Sequence, residues 1–302
     1  MKWEGQRESD QIEDRRSGGG GGGGLGGGGV RLPVGRGGVG LGTVAIALVA
    51  GWIFGINPMT ILGLLGGGGP APTEVSRPVP GAPVQRDEAT RFVSTVLAST
   101  EDAWEQTLRA AGGQYPPYQK PVLVLYRGAT RSACGVGQAE MGPFYCPGDR
   151  KVYLDLDFFD VMRKRLGAPG DFAQAYVVAH EVGHHVQHLL GITDKVDGAR
   201  RRMSDAQANA MSVRLELQAD CFAGIWANHS QQARQWLDAG DLQEALNAAA
   251  QIGDDTLQRN AGGAVAPENF THGSSAQRVR WFQKGYQSGQ VKDCNTFEAR
   301  QL

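Results

Sequence analysis

"YVVAHEVGHHVQHLLG", residues 176–191, holds four of the six histidines in the chain and one glutamate among apolar residues. Phe172, Tyr176, Ala179, Gly183, Val186 and Leu190 recur at steps of three and four, which draws one apolar stripe along a helix. Asp171 offers a capping side chain and Gly191 a stop, so the spacing predicts a helix over 172–190. His180-Glu181-Val182-Gly183-His184 on that helix is H-E-x-x-H. Residues four apart are neighbours about 6 Å from each other. Two imidazoles therefore converge on one zinc ion, while Glu181, the next residue round, reaches a water on the metal.

A catalytic zinc takes a third protein ligand and keeps a position open for water. His188 lies about 12 Å beyond His180 along the same helix, too far to share the ion. The metzincin pattern is excluded, because Gln187 and Leu190 stand where it needs glycine and histidine. "RLELQADCFAGIWA", residues 214–227, holds the better candidate. Glu216 and Asp220 are one turn apart on a second helix, so Glu216 completes a ligand set with His180 and His184. Asp220 is then placed to accept the outer ring N–H of a ligand histidine. Acids among Leu215, Leu217, Ala219, Cys221 and Phe222 are costly to bury unless paired or metal-bound.

Peptide hydrolysis also calls for a donor to the developing oxyanion. His272 in "FTHGSSAQR", residues 270–278, is the candidate, with Arg278 a weaker alternative that reads more simply as an ion-pair residue. His185 and His188 read as packing or supporting groups, and His229 as a helix-end residue.

Around this core, residues 87–112 are spaced as a helix, 120–128 as a buried strand, and 144–156 as a hairpin about 147–149 with its second strand over 152–156. Helices follow near 157–166 and 199–228, then in "DLQEALNAAAQIGDDTLQR" (241–259) and "SSAQRVRWFQKGYQSG" (274–289). The class is α+β, dominated by helices, with one small sheet. Strand 152–156 is expected beside the cleft, holding an extended substrate by strand addition.

Composition divides the 302 residues unevenly. Glycine fills 18–24 and 26–29, and a further run at 66–69 leads into "PAPTEVSRPVPGAP". Such segments bury too little apolar surface to offset their ordering entropy. Between them "VGLGTVAIALVAGWIFGI", residues 39–56, carries no charge and, helped by "MTILGLLG", is long enough to span a bilayer. Lys2, Arg7, Arg15, Arg16, Arg31 and Arg36 precede it and Arg77 alone follows in the linker, so the positive-inside rule places the N-terminus in the cytoplasm and the folded domain outside. The expected organisation is a disordered Gly-rich cytoplasmic tail at 1–38, a single transmembrane signal anchor at 39–65, a Gly/Pro-rich linker at 66–85 and one folded domain at 86–302.

The net charge of −1 and the lack of a basic face beyond residue 86 argue against a nucleic-acid partner. Cys134, Cys146, Cys221 and Cys294 form no C-x-x-C pair and read as disulfides of an oxidising compartment. Cys134–Cys146 is the natural local pair, leaving Cys221–Cys294, although three connectivities are open.

"AHEVGHHVQ", "LELQADCFAGIWA" and "THGSSAQRVRWFQKGY", with "FYCPGDRKVYLDLDFF" upstream, together resemble the bacterial putative neutral zinc metallopeptidases, over roughly residues 86–300 plus the N-terminal anchor. The resemblance implies a zincin-like, gluzincin-type domain tethered to a membrane, with Zn2+ held by His180, His184 and Glu216. It further implies hydrolysis of a peptide or protein substrate by a zinc-activated water, with Glu181 as general base. The alternative is a catalytically inactive binding module, also tethered, in which zinc only cross-links two helices.

Overall fold

The computed structural model describes residues 1–16, 75–76, 83–138 and 142–302. Its strands are β1 (Ile12–Asp14), β2 (Val75–Ser76), β3 (Val122–Tyr126), β4 (Ala129–Ser132), β5 (Gly135–Gln138), β6 (Phe144–Cys146) and β7 (Lys151–Asp155). Its helices are α1 (Glu88–Ala110), α2 (Asp157–Lys164), α3 (Asp171–Leu189), α4 (Ile192–Arg200), α5 (Asp205–Arg234), α6 (Asp241–Gln251), α7 (Asp254–Asn260) and α8 (Ser275–Ser288). The helix-rich α+β class is as expected, but the strands form two small sheets, ordered β1-β3-β7-β6 and β2-β4-β5.

In the larger sheet β1, β3 and β7 run parallel and β6 antiparallel. Alternation along β3 explains its unbroken apolar run. Leu123 and Leu125 face the helical core, while Val124 and Tyr126 join Cys146 and Tyr153 on the opposite face, so both sides are covered. β7 has a strand on each side, and its backbone is therefore already paired. Substrate addition is therefore blocked at Val152 and Tyr153, where β6 already pairs with β7, and the antiparallel edge of this sheet is β6.

The H-E-x-x-H helix α3 runs through the middle of the helical layer, buried along most of its length. Ser204 and Gln207 close a capping box at the start of α5, and Ser274 and Gln277 do the same for α8. α8 lies so close along α5 that a Cβ on Gly224 would strike the Phe282 carbonyl and one on Gly285 the Cys221 carbonyl. The Cys221–Cys294 disulfide ties α5 to the segment after α8, and Cys134–Cys146 joins the β4–β5 turn to β6. The single helix expected over 241–259 is broken between α6 and α7, where Gly253 is extended (φ −70°, ψ 140°) and packs on Ser275 with no room for a side chain.

Residues 1–16 are part of this folded body. Ile12, Glu13 and Asp14 pair with Leu123, Val124 and Leu125. Lys2 N donates to Trp236 O at 2.9 Å and Ser9 N to Ser94 O at 2.9 Å. Arg7 and Ser9 both bind the fully buried Glu101 carboxylate. Arg15 reaches Thr130 and the Arg131 carbonyl on β4, and thereby links the two sheets.

These contacts correct the expected location. A single membrane span between residues 16 and 83 would put β1 and β3 on opposite sides of a bilayer, yet they are neighbours in one sheet. Among the described residues no helix is long and apolar enough to cross a membrane. The anchor expected at 39–65 lies outside the described residues, and the arrangement of cytoplasmic N-terminus and exported domain is withdrawn.

Candidate metal centre

Three side chains from two helices meet at the centre of the helical layer. One ligand atom each from His180, His184 and Glu216 lies within 4.8 Å of the other two. Nε2 of His180 stands 3.2 Å, and Nε2 of His184 3.5 Å, from Oε2 of Glu216. Gly183 permits this approach: a Cβ there would lie 3.0 Å from the Ala219 carbonyl oxygen and 3.2 Å from its Cα. The glycine inside H-E-x-x-H thus lets α3 settle against α5 between Glu216 and Asp220.

The outer ring nitrogens are both engaged. Nδ1 of His180 is 2.9 Å from Oδ1 of Asp220, and Nδ1 of His184 is 2.8 Å from Oε1 of Gln187. Gln187 donates its amide nitrogen to Leu215 O and to Oε1 of Gln218, so its oxygen is the end left to accept from His184. Both histidines therefore carry hydrogen on Nδ1 and, when neutral, present the Nε2 lone pair towards Glu216.

With both rings neutral, two lone pairs and a carboxylate face one another, a set that calls for positive charge, which a metal ion or a proton on Nε2 supplies. The electrostatics show that demand for positive charge. Burial alone lowers the His180 pKa, but the hydrogen bond and charge of Asp220, aided by Glu216, raise it to about 10. Glu216 is pushed up by burial yet held well below the usual carboxylate range by His184 and His180. Two imidazoles and one carboxylate match the nitrogen and oxygen ligands that Zn2+ takes in catalytic sites.

Asp220 is fully buried and serves more than His180. It accepts from Tyr176 Oη at 2.6 Å and from Nε and an Nη of Arg278 at 2.9 Å each. Arg278 is itself 2% exposed. It is thus the ion-pair residue its sequence context suggests, spent on Asp220 rather than open to substrate.

Glu181 is buried, 8% exposed, and desolvation pushes its pKa up against the opposing pull of His184 and His180. His272 sits on the turn before α8. Its Nδ1 is 3.1 Å from Oδ1 of Asp254, whose other oxygen accepts the backbone N–H groups of Thr271, His272 and Gly273 at 2.7, 2.7 and 3.0 Å. Its side chain is 41% exposed, and its charge and that of Glu216 act on each other.

His185 and His188 stand apart from the cluster. Nε2 of His185 donates to Gln119 O, so Nδ1 accepts from Tyr145 Oη at 3.1 Å, and Tyr145 in turn accepts from Nδ1 of His188 at 2.8 Å. This chain holds β6 against α3. His229 donates to Gly289 O, within α5 rather than at its end.

Gln187, Tyr176 and Asp254 are absent from the expected set. Gln187 lies three residues after His184 and Tyr176 four before His180, a helical spacing that points to both. Asp254 has no such local signal, since it reaches His272 across a turn eighteen residues away.

A family model described as "Putative neutral zinc metallopeptidase" matches residues 1–297. Uncharacterized protein YpfJ of Escherichia coli is 52% identical over 297 residues, covering 98% of this chain and 99% of the relative. Uncharacterized protein Rv2575 of Mycobacterium tuberculosis is 42% identical over 230 residues, or 71% and 74% of the two chains. No solved structure matches. With the match spanning nearly its full length, the chain belongs to the family of putative neutral zinc metallopeptidases, whose cofactor is Zn2+.

Proposed function

We propose that the chain is a zinc endopeptidase in which His180, His184 and Glu216 hold the ion and Glu181 is the general base. The observation that carries this reading is the convergence of the two Nε2 atoms and the Glu216 carboxylate, with buried Glu181 on the next position of the same helix. When bound, Zn2+ polarises a substrate carbonyl and makes a water acidic enough to attack near neutral pH.

The chain's own residues handle the proton and the geometry. Glu181 takes a proton from the attacking water on its carboxylate and returns it to the departing amine. Asp220 and Gln187 fix the two histidine rings, and Tyr176 and Arg278 fix Asp220. Burial lowers the pKa of His272, but Asp254 accepts from its Nδ1 and raises it, and the imidazolium so favoured donates from Nε2 to the oxygen that gains charge. Asp220 is fully committed to three partners, and among the described residues only three ligand groups converge, which favours an open coordination position over a closed structural zinc.

The test is zinc content and cleavage of a mixed peptide library by the wild-type chain, Glu216→Ala and Glu181→Gln. The expected result is about one zinc per chain and cleavage in wild type, zinc without cleavage in Glu181→Gln, and little zinc in Glu216→Ala. Undiminished cleavage by Glu181→Gln would remove Glu181 from the mechanism, and a wild type that holds zinc but cleaves nothing would leave the binding-module reading.

A further inference from the structure

Gln187 settles which ring nitrogen of neutral His184 is free to bind an ion. Its Oε1 lies 2.8 Å from Nδ1 of His184. Were the amide turned over, its NH2 would face Nδ1, the ring hydrogen would move to Nε2, and Nε2 could not act as a ligand. What holds the amide in its working orientation lies further from the centre.

The amide nitrogen of Gln187 donates to Leu215 O at 2.7 Å and to Oε1 of Gln218 at 3.1 Å. A turned amide would set its oxygen against both acceptors. Gln218 is oriented in the same way, because its own amide nitrogen donates to Cys294 O at 2.9 Å and leaves Oε1 for Gln187. An amide has one donor end and one acceptor end, so a single carbonyl orients both glutamines in series. The order is Cys294 O, Gln218, Gln187, His184. All four residues are shielded from bulk water except for the partly buried ring of His184, where hydrogen bonds count for more than they would at the surface.

Cys294 is itself held from α5. It ends a four-residue turn, Val291–Cys294, which is too short to keep its place unaided. Cys221 follows Gln218 by three residues and so shares its face of α5, and its sulfur is bonded to that of Cys294. One turn of α5 thus grips Cys294 twice, by the disulfide and by the Gln218 amide. The support of His180 shares no member with this series, since it runs through Asp220 to Tyr176 and Arg278.

We infer that Gln218 is a positioning residue for the metal ligand His184, and that the Cys221–Cys294 disulfide anchors the amide series through which it acts. The inference rests on the reading of His184 as a zinc ligand. It extends the support of that ligand to a disulfide that touches neither histidine.

The test compares the zinc-loaded, 15N-histidine-labelled full chain as wild type, Gln218→Leu and the double variant Cys221→Ala/Cys294→Ala. Chelator competition gives zinc affinity, and solvent exchange of the two Nδ1–H protons reports each ligand ring by itself. In wild type both protons are expected to exchange slowly. In Gln218→Leu the His184 proton should exchange about ten-fold faster or more while that of His180 stays as it was. Zinc affinity should fall about three- to ten-fold, the loss of one buried hydrogen bond. The double variant should show the same pattern, and its melting temperature establishes whether it is folded; where it is not, Gln218→Leu decides. An unchanged His184 proton in folded Gln218→Leu would overturn the inference. Equal acceleration at both histidines would also overturn it, since general loosening gives that result. A folded cysteine variant with His184 unchanged would overturn the part given to the disulfide. A wild type that takes up no zinc would instead retire the metal reading on which the inference rests.

Discussion

Nδ1 of His180 lies 2.9 Å from Oδ1 of Asp220, an acid that lies one turn beyond Glu216 on the neighbouring helix and also binds Tyr176 and Arg278. Asp220 therefore sets the tautomer and angle of the His180 ring, a ligand in the proposed zinc site. Asp220→Asn keeps the shape but loses the charge, and zinc affinity is expected to fall about 10- to 100-fold. Competition with a chelator of known affinity measures it. Arg278→Met should show a further effect, since it leaves Asp220 buried and short of its strongest partner; an unchanged zinc affinity in both variants would exclude the network from tuning the site.

Gly183 against Ala219 is the second test. An alanine at 183 forces the two helices apart by a few tenths of an ångström at the level of the ligands. Overpacking of this kind costs about 1–3 kcal/mol. Gly183→Ala should lower the unfolding free energy by that amount and weaken zinc binding, whereas Gly198→Ala, with nothing within 4 Å, should do neither.

Acid should undock the N-terminal segment. Burial pushes the Asp14 carboxyl up, but Arg16 and the backbone N–H groups of Gln85 and Arg16 hold it below its ordinary value of 3.8. Burial likewise opposes Glu13, which Arg15 and Lys151 hold below 4.5. A depressed carboxylate stabilises the docked state above its ordinary pKa and stops doing so as pH falls through the depressed value. Docking is expected to be indifferent to pH above about 5 and to weaken below about 4. Trp3 packs edge-on against Phe92 at 5.4 Å, so the fluorescence difference between wild type and Trp3→Phe reports the change. Asp14→Asn should bind less well at neutral pH and show a flatter acid profile.

The ends of segment 17–82 are clamped to each other. Gln85 N donates to Oδ2 of Asp14 at 2.9 Å, and Arg16 binds Gln85 O, Asp87 and Thr90. Replacing 17–82 by a short glycine linker removes only the two-residue edge strand β2 from the smaller sheet and should leave the larger sheet, the helices and the zinc content intact. Deleting 1–16 instead removes β1 and strips Arg7 and Ser9 from buried Glu101, which keeps Lys120 at 3.2 Å, and a loss of about 1–3 kcal/mol is expected from the lost hydrogen bonds to that charge. Thermal unfolding of the two deletions side by side distinguishes them.

The sequence by itself determined the parts whose information is local. The helical repeat places His180, Glu181 and His184 on neighbouring positions of α3, and Glu216 and Asp220 one turn apart on α5, whatever the rest of the chain does. The apolar run of β3 and the absence of C-x-x-C pairs are legible for the same reason. Tertiary structure decided the rest. A three-residue strand such as β1 has no signature of its own, and Ile12 meets Leu123 only because the edge of β3 offers unpaired backbone groups. Hydropathy at 39–65 measured the segment alone and could not register that its two flanks are bound to each other. Asp254 finds His272, and Arg278 finds Asp220, across gaps that no helical or strand period spans. Periodicity fixes which residues share a face of one element; burial, hydrogen-bond satisfaction and close backbone approach, as at Gly183, decide which faces meet.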